Sequence, residues 1–410
     1  MSSKKVILGI DGVPFHLIDD LSNSGDMPNF KAIKNDGHFS KMHSAVPEVS
    51  NVNWSSIVTG KNPGEHGIYG FTELIQGTYT VSFPDRRALK SPPFWKDDGR
   101  YVIINVPAMY PADDINGVMV SGFVSPELER AVTPDSALKY LKSIDYQVDV
   151  DSEKAHKSYR LFMDNLFKTL DKREKALDHF WKERWDVFMF VFTGSDRLEH
   201  FLWNAYEDPS HEYHDKFVKY FKEFDRILGK VLDRMNGDDE LIMLSDHGMG
   251  PIKANVNVNK VLEDNGLLNL GPKPEERYKN IQEGTKAFAL DPGRIYLNHE
   301  HRYPRGEDIG PILEDIVELF QNLRYQGQKV IKTVHRKEDI YHGEQIDKAP
   351  DIVLTPNRGF NLKGSVKYDK LFDNDVFQGM HTADDAFIYS SEVEIPKDPT
   401  VEDFIKILKT

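Results

Sequence analysis

The stretch KVILGIDG, residues 5–12, is the first indication of the fold class. Lys5–Ile10 is a short apolar run of strand-favouring residues, and it stops at the turn pair Asp11-Gly12. Such a run predicts a buried strand of a parallel sheet. Comparable runs occur at Tyr101–Val106 (YVIINV), Trp185–Phe192 (WDVFMFVF) and Glu240–Leu244 (ELIML). The chain is therefore predicted to contain a central sheet of buried strands.

Helical patterns separate these strands. His211–Met235 is one long helical segment, and Lys154–Trp185 is another, charged and helix-periodic. The predicted inward-facing residues of the second are Leu161, Leu166, Leu170 and Phe180. Strands that alternate with helices predict an α/β sandwich around a mostly parallel sheet.

Three of the apolar strands lead to an aspartate: Asp11, Asp196 and Asp246. Asp196 and His200 are four residues apart, so they share a face if a helix begins there, and His247 follows Asp246 directly. The C-terminal ends of parallel strands meet at one edge of the sheet, where ligands bind in open α/β folds. These side chains are therefore expected to converge.

A serine precedes a short helical pattern in VPEVSNVNWSSIVTGKNPGEHGIYGF, residues 46–71. Ser50 comes just before the run Asn51–Thr59, and Gly60 is predicted to be the C-cap. Ser50 is predicted to be the N-cap, where backbone N–H groups point outward and the helix dipole favours an anion. Taken alone, this is a serine that caps a buried helix. The aspartates and histidines elsewhere supply the partners that a serine nucleophile requires.

The composition excludes several classes of protein. The 410 residues are 39% hydrophobic and 29% charged, with no cysteine, so disulfides, thiolate metal sites and cysteine nucleophiles are absent. The net charge of −14 disfavours binding to nucleic-acid polymers or anionic membranes, whereas bound cations still allow a small anionic substrate. The apolar segment Val6–Ile10 is too short for a signal sequence or a membrane span. We expect a soluble cytoplasmic protein; homo-oligomerisation stays open.

The composition changes after Asn255 and becomes more mixed up to about Val376. Residues 1–254 are predicted to form the first part of the catalytic core, and residues 377–410 its return. Residues 255–376 are predicted to form a smaller insertion lobe that covers the site.

The candidate ligands are oxygen and imidazole donors only. This donor set favours Zn²⁺, with Mn²⁺ or Fe²⁺ as alternatives. An Asp246-His247 pair and an Asp196/His200 pair would serve two neighbouring divalent ions.

The sequence resembles the alkaline phosphatase superfamily, in its type I phosphodiesterase/nucleotide pyrophosphatase branch, and within it a group of predicted phosphohydrolases or phosphomutases. The matching residues cover nearly the whole chain: Ile10-Asp11-Gly12, Met27-Pro28-Asn29-Phe30, Thr59–Ile68, Asn105-Val106-Pro107, Asp196 with His200, Ser245-Asp246-His247-Gly248, Gly293-Arg294-Ile295-Tyr296, Ile340-Tyr341-His342-Gly343, Ala349-Pro350-Asp351 and Gly379-Met380-His381. The resemblance implies a three-layer α/β/α sandwich with a smaller insertion lobe.

The resemblance also implies two metal sites. The ligands of one ion would be Asp196, His200 and His381, and those of the other Asp11, Asp246, His247 and Ser50. Ser50 would be the nucleophile, at a position where the branch more often has Thr. Members often place an Asn after the H-G-I segment to contact phosphate, but this chain has Ile68-Tyr69-Gly70-Phe71 there. The expected substrate-binding residues are therefore Asn51, Asn53 and Phe71.

The leading functional hypothesis is a metal-dependent phosphohydrolase that cleaves nucleotide-like phosphodiesters through a phosphoserine. A phosphomutase of the phosphoglycerate mutase kind, a phosphomonoesterase or a phosphonate hydrolase would use the same site. A catalytically idle metal-binding protein is the remote alternative. A sulfatase is disfavoured because Ser50-Asn51-Val52-Asn53 lacks the pattern from which formylglycine is made. His66 is expected to have a structural role in its turn, and Lys61 to be solvated.

Overall fold

The computed structural model describes residues 4–410. Its strands are β1 (Lys5–Ile10), β2 (His38–Met42), β3 (Glu73–Leu74), β4 (Val81–Ser82), β5 (Tyr101–Val106), β6 (Gly117–Ser121), β7 (Val132–Thr133), β8 (Val187–Phe192), β9 (Glu240–Leu244), β10 (Gly248–Pro251), β11 (Ala254–Asn257), β12 (Ala287–Leu290), β13 (Arg294–Leu297), β14 (Arg324–Tyr325), β15 (Gln328–Lys329), β16 (Ile331–Arg336), β17 (Ile352–Pro356), β18 (Phe360–Lys363), β19 (Phe372–Asp373), β20 (Gly379–Thr382) and β21 (Ala386–Ser390).

The helices are α1 (Phe15–Ser24), α2 (Pro28–Lys34), α3 (Ser50–Thr59), α4 (Pro63–His66), α5 (Leu128–Ala131), α6 (Asp135–Ser143), α7 (Glu153–Lys157), α8 (Tyr159–Phe180), α9 (Gly194–Glu207), α10 (His214–Leu232), α11 (Val258–Asp264), α12 (Leu313–Gln321), α13 (Lys337–Ile340) and α14 (Phe404–Lys409). Short 3₁₀ turns occupy Phe94–Lys96, Pro274–Asn280, Ile346–Lys348 and Val401–Asp403.

An eight-stranded sheet forms the centre of the molecule, in the order β2-β21-β9-β1-β8-β5-β6-β7. The five strands from β9 to β6 run parallel to one another. The outer pairings, β2 with β21, β21 with β9 and β6 with β7, are antiparallel. The strands predicted from apolar runs are therefore present, and the mostly parallel character of the sheet is confirmed.

Helices cover both faces of this sheet. Along β1, Val6, Leu8 and Ile10 belong to one hydrophobic cluster and Ile7 to another, as expected when side chains alternate along a strand. The first cluster contains residues of α1, α2, α8, α9 and α10, whereas the second contains residues of α3 and α14. The three-layer α/β/α sandwich is therefore confirmed.

A smaller sheet, β12-β13-β17-β16, lies outside the central one. Its strands share a separate hydrophobic cluster with α11 and α12, which extends from Ala254 to Val366 and also includes Tyr79. Most of this cluster falls within the predicted insertion lobe. The division at residues 254/255 and 376/377 stays a prediction.

The predicted single helix over Lys154–Trp185 is wrong. The segment forms two helices, α7 and α8, because the backbone at Ser158 is extended (φ −169°, ψ 127°). This break resets the helical phase, so Phe162 and Met163 are buried and Leu161 is 51% exposed. Leu166, Leu170 and Phe180 are buried as predicted.

Candidate metal centre and nucleophile

The three aspartates come together at the C-terminal ends of adjacent strands. β1 lies between β8 and β9, with Ile10 opposite Phe192 and Gly9 opposite Leu244. Asp11 follows β1 directly, and Asp246 comes two residues after β9. The helix α9 begins just beyond β8 and carries Asp196 in its first turn. The predicted convergence is therefore confirmed.

Ser50 lies at the edge of this cluster. Its Oγ is 3.3 Å from Oδ1 of Asp11 and 3.1 Å from Nε2 of His247. The predicted N-cap role is wrong, because α3 begins at Ser50 itself and the extended residue before it is Val49. The side chain of Ser50 consequently contacts the cluster and not the backbone of its own helix. Gly60 ends α3 in the left-handed conformation (φ 65°), as predicted.

Three histidines present the same nitrogen to the site. Nδ1 of His247 is 3.0 Å from the carbonyl oxygen of Gly248, and Nδ1 of His200 is 2.8 Å from that of Gly379. Nδ1 of His381 is 2.8 Å from the carbonyl oxygen of Glu48. A carbonyl oxygen only accepts, so each Nδ1 carries the hydrogen and donates it. Each Nε2 is therefore left with a lone pair, as a metal ligand requires.

The first group of candidate ligands is Asp196, His200 and His381. Oδ1 of Asp196 is 3.3 Å from Nε2 of His200 and 3.3 Å from Nε2 of His381. It is buried and receives no hydrogen bond from the described residues, 4–410. All three ligand atoms lie within 4.8 Å of one another. Two nitrogen lone pairs and a carboxylate oxygen that face one another repel unless a cation lies between them.

The second group surrounds His247. Its Nε2 is 3.8 Å from Oδ1 of Asp11, 3.9 Å from Oδ1 of Asp196 and 3.4 Å from Oδ2 of Asp246. Asp246 accepts the backbone N–H of Gly12 at Oδ1, while its buried Oδ2 has no hydrogen-bond partner among residues 4–410. Oδ1 of Asp196 therefore faces both groups.

The electrostatics of the cluster favour cation binding. Burial, together with Asp246 and Asp196, raises the pKa of Asp11. Burial also raises the pKa of Asp246 to about 7 and lowers that of His247 and His381 to about 4. Burial alone would raise the pKa of Asp196, but His200, His381 and Arg197 hold it below its usual value. The raised pKa values of Asp11 and Asp246 reflect burial and repulsion among the three carboxyl groups, which a divalent ion would relieve.

The donor chemistry of these two groups fits divalent metal ions. One buried oxygen of Asp196 and one of Asp246 have no hydrogen-bond partner among residues 4–410, and Nε2 lone pairs face the same space. Oxygen and imidazole ligands suit Zn²⁺, Mn²⁺ or Fe²⁺.

The predicted substrate-binding residues surround Ser50 unequally. Asn51 donates from Nδ2 to the carbonyl oxygen of Gly70 at 2.7 Å, and the neighbouring Phe71 is half-buried, edge-to-face with Phe123 at 5.8 Å. Asn53 is fully buried; its Oδ1 accepts the N–H of Ala45, and its Nδ2 donates to Val49. The amide of Asn53 is therefore committed to the loop before Ser50. A phosphate contact by these side chains stays a prediction.

Two further side chains at the site, Trp54 and Arg197, were not predicted from the sequence. Trp54 lies one helical turn after Ser50 and donates from Nε1 to Oδ2 of Asp11 at 3.1 Å. Arg197 donates from Nη1 to Oδ2 of Asp196 at 2.8 Å. The i, i+4 spacing from Ser50 to Trp54 and the adjacency of Arg197 to Asp196 were the available signals.

The turn that follows α3 contains His66, for which a structural role was predicted. His66 is fully buried, with Nε2 3.0 Å from Oγ of Ser56, and its Nδ1 accepts the N–H of Ile68. Lys61 is exposed and pairs with Glu65. Neither residue contacts the carboxylate–histidine cluster in the described part of the chain.

A serine beside paired carboxylate–histidine groups, at the C-terminal edge of a mostly parallel sheet, defines a phosphohydrolase of the alkaline phosphatase superfamily. The model of the family described as type I phosphodiesterase / nucleotide pyrophosphatase matches residues 5–384. The chain belongs to this family and is a metal-dependent phosphohydrolase.

Solved structures share the fold at low sequence identity. Phosphonoacetate hydrolase from Sinorhizobium meliloti 1021, in complex with phosphonoacetate, is 18% identical with a TM-score of 0.68; the match covers 100% of this chain and 95% of that one. Murine ectonucleotide pyrophosphatase/phosphodiesterase 5, as an inactive variant in complex with AMP, is 13% identical with a TM-score of 0.58. That match covers 99% of this chain and 94% of the murine one. No curated protein sequence matches the chain.

Among residues 4–410, no helix has both the length and the apolar character needed to cross a membrane. A cytoplasmic location stays a prediction.

Proposed function

We propose that this protein cleaves phosphodiesters through a phosphoserine formed on Ser50. The observation that carries the proposal is the position of the Ser50 hydroxyl, 3.3 Å from a carboxylate oxygen of Asp11 and 3.1 Å from Nε2 of His247. A serine that only caps a helix would point at its own backbone. This one points at the candidate ligands.

The cluster would hold two divalent ions, with Zn²⁺ favoured over Mn²⁺ and Fe²⁺. In this assignment the ligands of one ion are Asp196, His200 and His381, and those of the other are Asp11, Asp246, His247 and Ser50. When bound, such ions lower the pKa of a coordinated hydroxyl and neutralise the charge of a phosphate group.

The protein's own groups prepare the nucleophile. Asp11 and His247 hold the Ser50 oxygen beside the candidate ligands, and Trp54 fixes Asp11 by donating to its other oxygen. Nε2 of His247 carries a lone pair and no hydrogen, because the hydrogen is on Nδ1. It therefore donates no hydrogen bond to the Ser50 oxygen, whose lone pairs stay free to attack phosphorus. The hydroxyl of Ser50 would give up its proton to solvent as its oxygen bonds to phosphorus, and the departing ester oxygen would take up a proton from water. A second water would then hydrolyse the phosphoserine, releasing a phosphate monoester and restoring the serine hydroxyl.

The start of α3 would hold the nonbridging oxygens. The carbonyl oxygen of Val49 accepts the N–H groups of both Val52 and Asn53. The N–H groups of Ser50 and Asn51 make no hydrogen bond to any residue between 4 and 410. Two free donors beside a nucleophile suit negative charge that develops on phosphate oxygens.

The same site would serve a phosphonate hydrolase, a phosphomonoesterase or a phosphomutase. The fold is shared with a phosphonoacetate hydrolase and with an ectonucleotide phosphodiesterase, so it does not favour one substrate class. We propose the diester because the family match is to the type I phosphodiesterases.

The test is a parallel assay of bis-p-nitrophenyl phosphate, p-nitrophenyl phosphate and phosphonoacetate, with metal-stripped protein reloaded with Zn²⁺ or Mn²⁺. A metal-dependent preference for the diester that Ser50→Ala abolishes is the expected result. A preference for the monoester or the phosphonate would replace the diester with that substrate class. Two bound ions without hydrolysis of any substrate would favour the mutase, and a protein that binds no metal would refute the proposal.

A further inference from the structure

Arg197 joins two carboxylates beside the candidate metal centre. Its Nη1 donates to Oδ2 of Asp196 at 2.8 Å, and its Nε donates to Oδ2 of Asp149 at 3.0 Å. Its Nη2 forms an ion pair with the same oxygen of Asp149 at 2.9 Å. The guanidinium lies over the ring of Phe123, 4.4 Å from its centroid. Hydrogen bonds on both sides and an aromatic ring against one face leave Arg197 little freedom to rotate.

Asp149 is itself anchored from behind. Its Oδ1 accepts the hydroxyl of Thr193 at 3.2 Å, and that hydroxyl accepts a hydrogen bond from Nη2 of Arg173 at 2.9 Å. Arg173 is buried and also donates to the carbonyl oxygen of Val148 at 2.7 Å. The loop that carries Asp149 is therefore held at its backbone and at its side chain.

The motif residue Asn105 supports the same loop. Its Nδ2 donates to the carbonyl oxygen of Val148 at 3.1 Å, and its Oδ1 accepts the hydroxyl of Tyr146. Asn105 has a positive φ of 68°, at the end of β5 next to β8. A fully buried asparagine in this conformation has no contact with the metal ligands, so its part is to hold the loop.

We propose that Arg197 and Asp149 are a positioning pair for the metal ligand Asp196, an inference that rests on the proposed function. The bond from Arg197 occupies Oδ2 of Asp196 and so turns Oδ1 toward His200 and His381. Asp149 fixes the far side of the guanidinium and thereby sets the orientation of the carboxylate.

Asp149 also balances the charge of Arg197. A guanidinium next to a metal ligand repels the cation and competes with it for the carboxylate. Asp149 shares this positive charge, because it accepts a hydrogen bond from Nε of Arg197 and forms an ion pair with Nη2. Loss of Asp149 would place the whole charge on Asp196 and weaken it as a ligand.

The fork geometry requires arginine. Lysine would keep the charge, but its single ammonium group cannot hold two carboxylates in a fixed plane or stack on Phe123. Arg197→Lys therefore separates geometry from charge, whereas Asp149→Asn changes the charge and leaves Arg197 in place.

The experiment is a titration of the metal-stripped full chain with Co²⁺, followed by its visible d–d absorption, in Arg197→Lys and Asp149→Asn. The matched controls are Arg86→Lys and Asp113→Asn, because Arg86 and Asp113 form a pair of similar exposure (13% and 15%, against 17% and 15% for Arg197 and Asp149) outside the cluster. The kcat and KM for bis-p-nitrophenyl phosphate are measured at saturating Co²⁺.

We expect wild type to bind two equivalents of Co²⁺ and each cluster variant to bind one of them about 10- to 100-fold more weakly. The spectrum should change and kcat should fall while KM stays within about twofold, since the ion is misplaced and substrate binding is kept. The controls should keep wild-type affinities and spectra. If one of the two cluster variants does not fold, the other is measured by the same titration, spectra and kinetics.

Wild-type affinities and spectra in the cluster variants would overturn the inference, and so would equal losses in the control pair, which would indicate general destabilisation. Failure of the metal site is visible separately, because wild type itself would then bind no Co²⁺, whereas a different substrate preference of wild type would change the proposed function and leave the Co²⁺ readouts in place. Absence of Co²⁺ binding would remove the positioning role together with the site.

Discussion

The Nε2 atoms of His200 and His381 lie 3.0 Å apart, although the Nδ1 of each ring is bonded to a backbone carbonyl oxygen. Both rings therefore present a lone pair to the same point, where Oδ1 of Asp196 is also found. Among residues 4–410, no group donates a hydrogen bond to this oxygen of Asp196. The fold thus carries a local electrostatic cost that a bound cation converts into stabilisation.

Metal loading is therefore expected to stabilise the protein. At a free Zn²⁺ concentration a thousand times the dissociation constant, linkage gives about 4 kcal/mol per ion. We expect Tm to rise by several degrees when chelated protein is reloaded, and to rise less in His381→Gln, which lacks one ligand. Differential scanning calorimetry checks both values. An equal rise in wild type and variant would exclude His381 as a ligand.

The hydroxyl of Ser50 is expected to be essential for turnover but not for metal binding at the other ion. Ser50→Ala should lower kcat by at least about a thousandfold, because no covalent intermediate forms. Ser50→Thr keeps the hydroxyl and should retain activity. Steady-state kinetics with metal analysis of each variant checks this. Loss of both ions in Ser50→Ala would mean that the serine builds the site and does not merely react in it.

The buried His66 is expected to make stability depend on pH. Burial lowers its pKa to about 3, below the value of about 6.5 in an unfolded chain. The unfolded state then binds more protons, so the free energy of unfolding falls as the pH drops below 6.5, by roughly 2–3 kcal/mol at pH 4.5. Urea denaturation of His66→Gln, which does not titrate, should show a smaller loss over this range. Parallel curves for the two proteins would contradict the prediction.

The turn at Gly64 is expected to hold the segment 340–349 against the core. A Cβ at Gly64 would overlap the backbone carbonyl of His342, and the carbonyl oxygen of Gly64 accepts the N–H of Gln345. Gly64→Ala should therefore destabilise the protein by about 1–3 kcal/mol through forced backbone displacement. Gly237→Ala is the control, since its Cβ would meet no atom within 4 Å. Chemical denaturation compares them, and equal stabilities would show that the backbone yields there.

Much of this site was predictable because it follows from strand ends. Asp11, Asp196 and Asp246 each come after an apolar run, and parallel strands bring such positions to one edge whatever their separation in sequence. The proximity of Asp196 and His200 could be predicted from their i, i+4 spacing, which places both side chains on one face of a helix. His381 entered through a family resemblance, because nothing local to Gly379-Met380-His381 indicates where the strand β20 lies.

The residues that were missed depend on contacts between distant loops. Asp149 lies in a loop without a motif, and its link to Arg197 exists only once the chain has folded. The N-cap prediction for Ser50 failed by one residue, since helix starts are set by the preceding backbone, here the extended Val49. Leu161 was wrongly predicted to face inward for a similar reason. The helix is interrupted at Ser158, where the sequence has neither glycine nor proline to indicate a break.

The order of the central sheet has a consequence for how the protein folds. The strand β2 has β21 as its neighbour in that sheet, and β21 separates β2 from β9. His38 of β2 pairs with Ser390 of β21, so this edge of the sheet closes only when two segments far apart in the chain meet. Contacts of such high sequence separation carry a large loop-closure cost, and we therefore expect this edge to form late in folding. The candidate ligand His381 lies in β20, just before β21, so the reactive centre would be completed in the same late step.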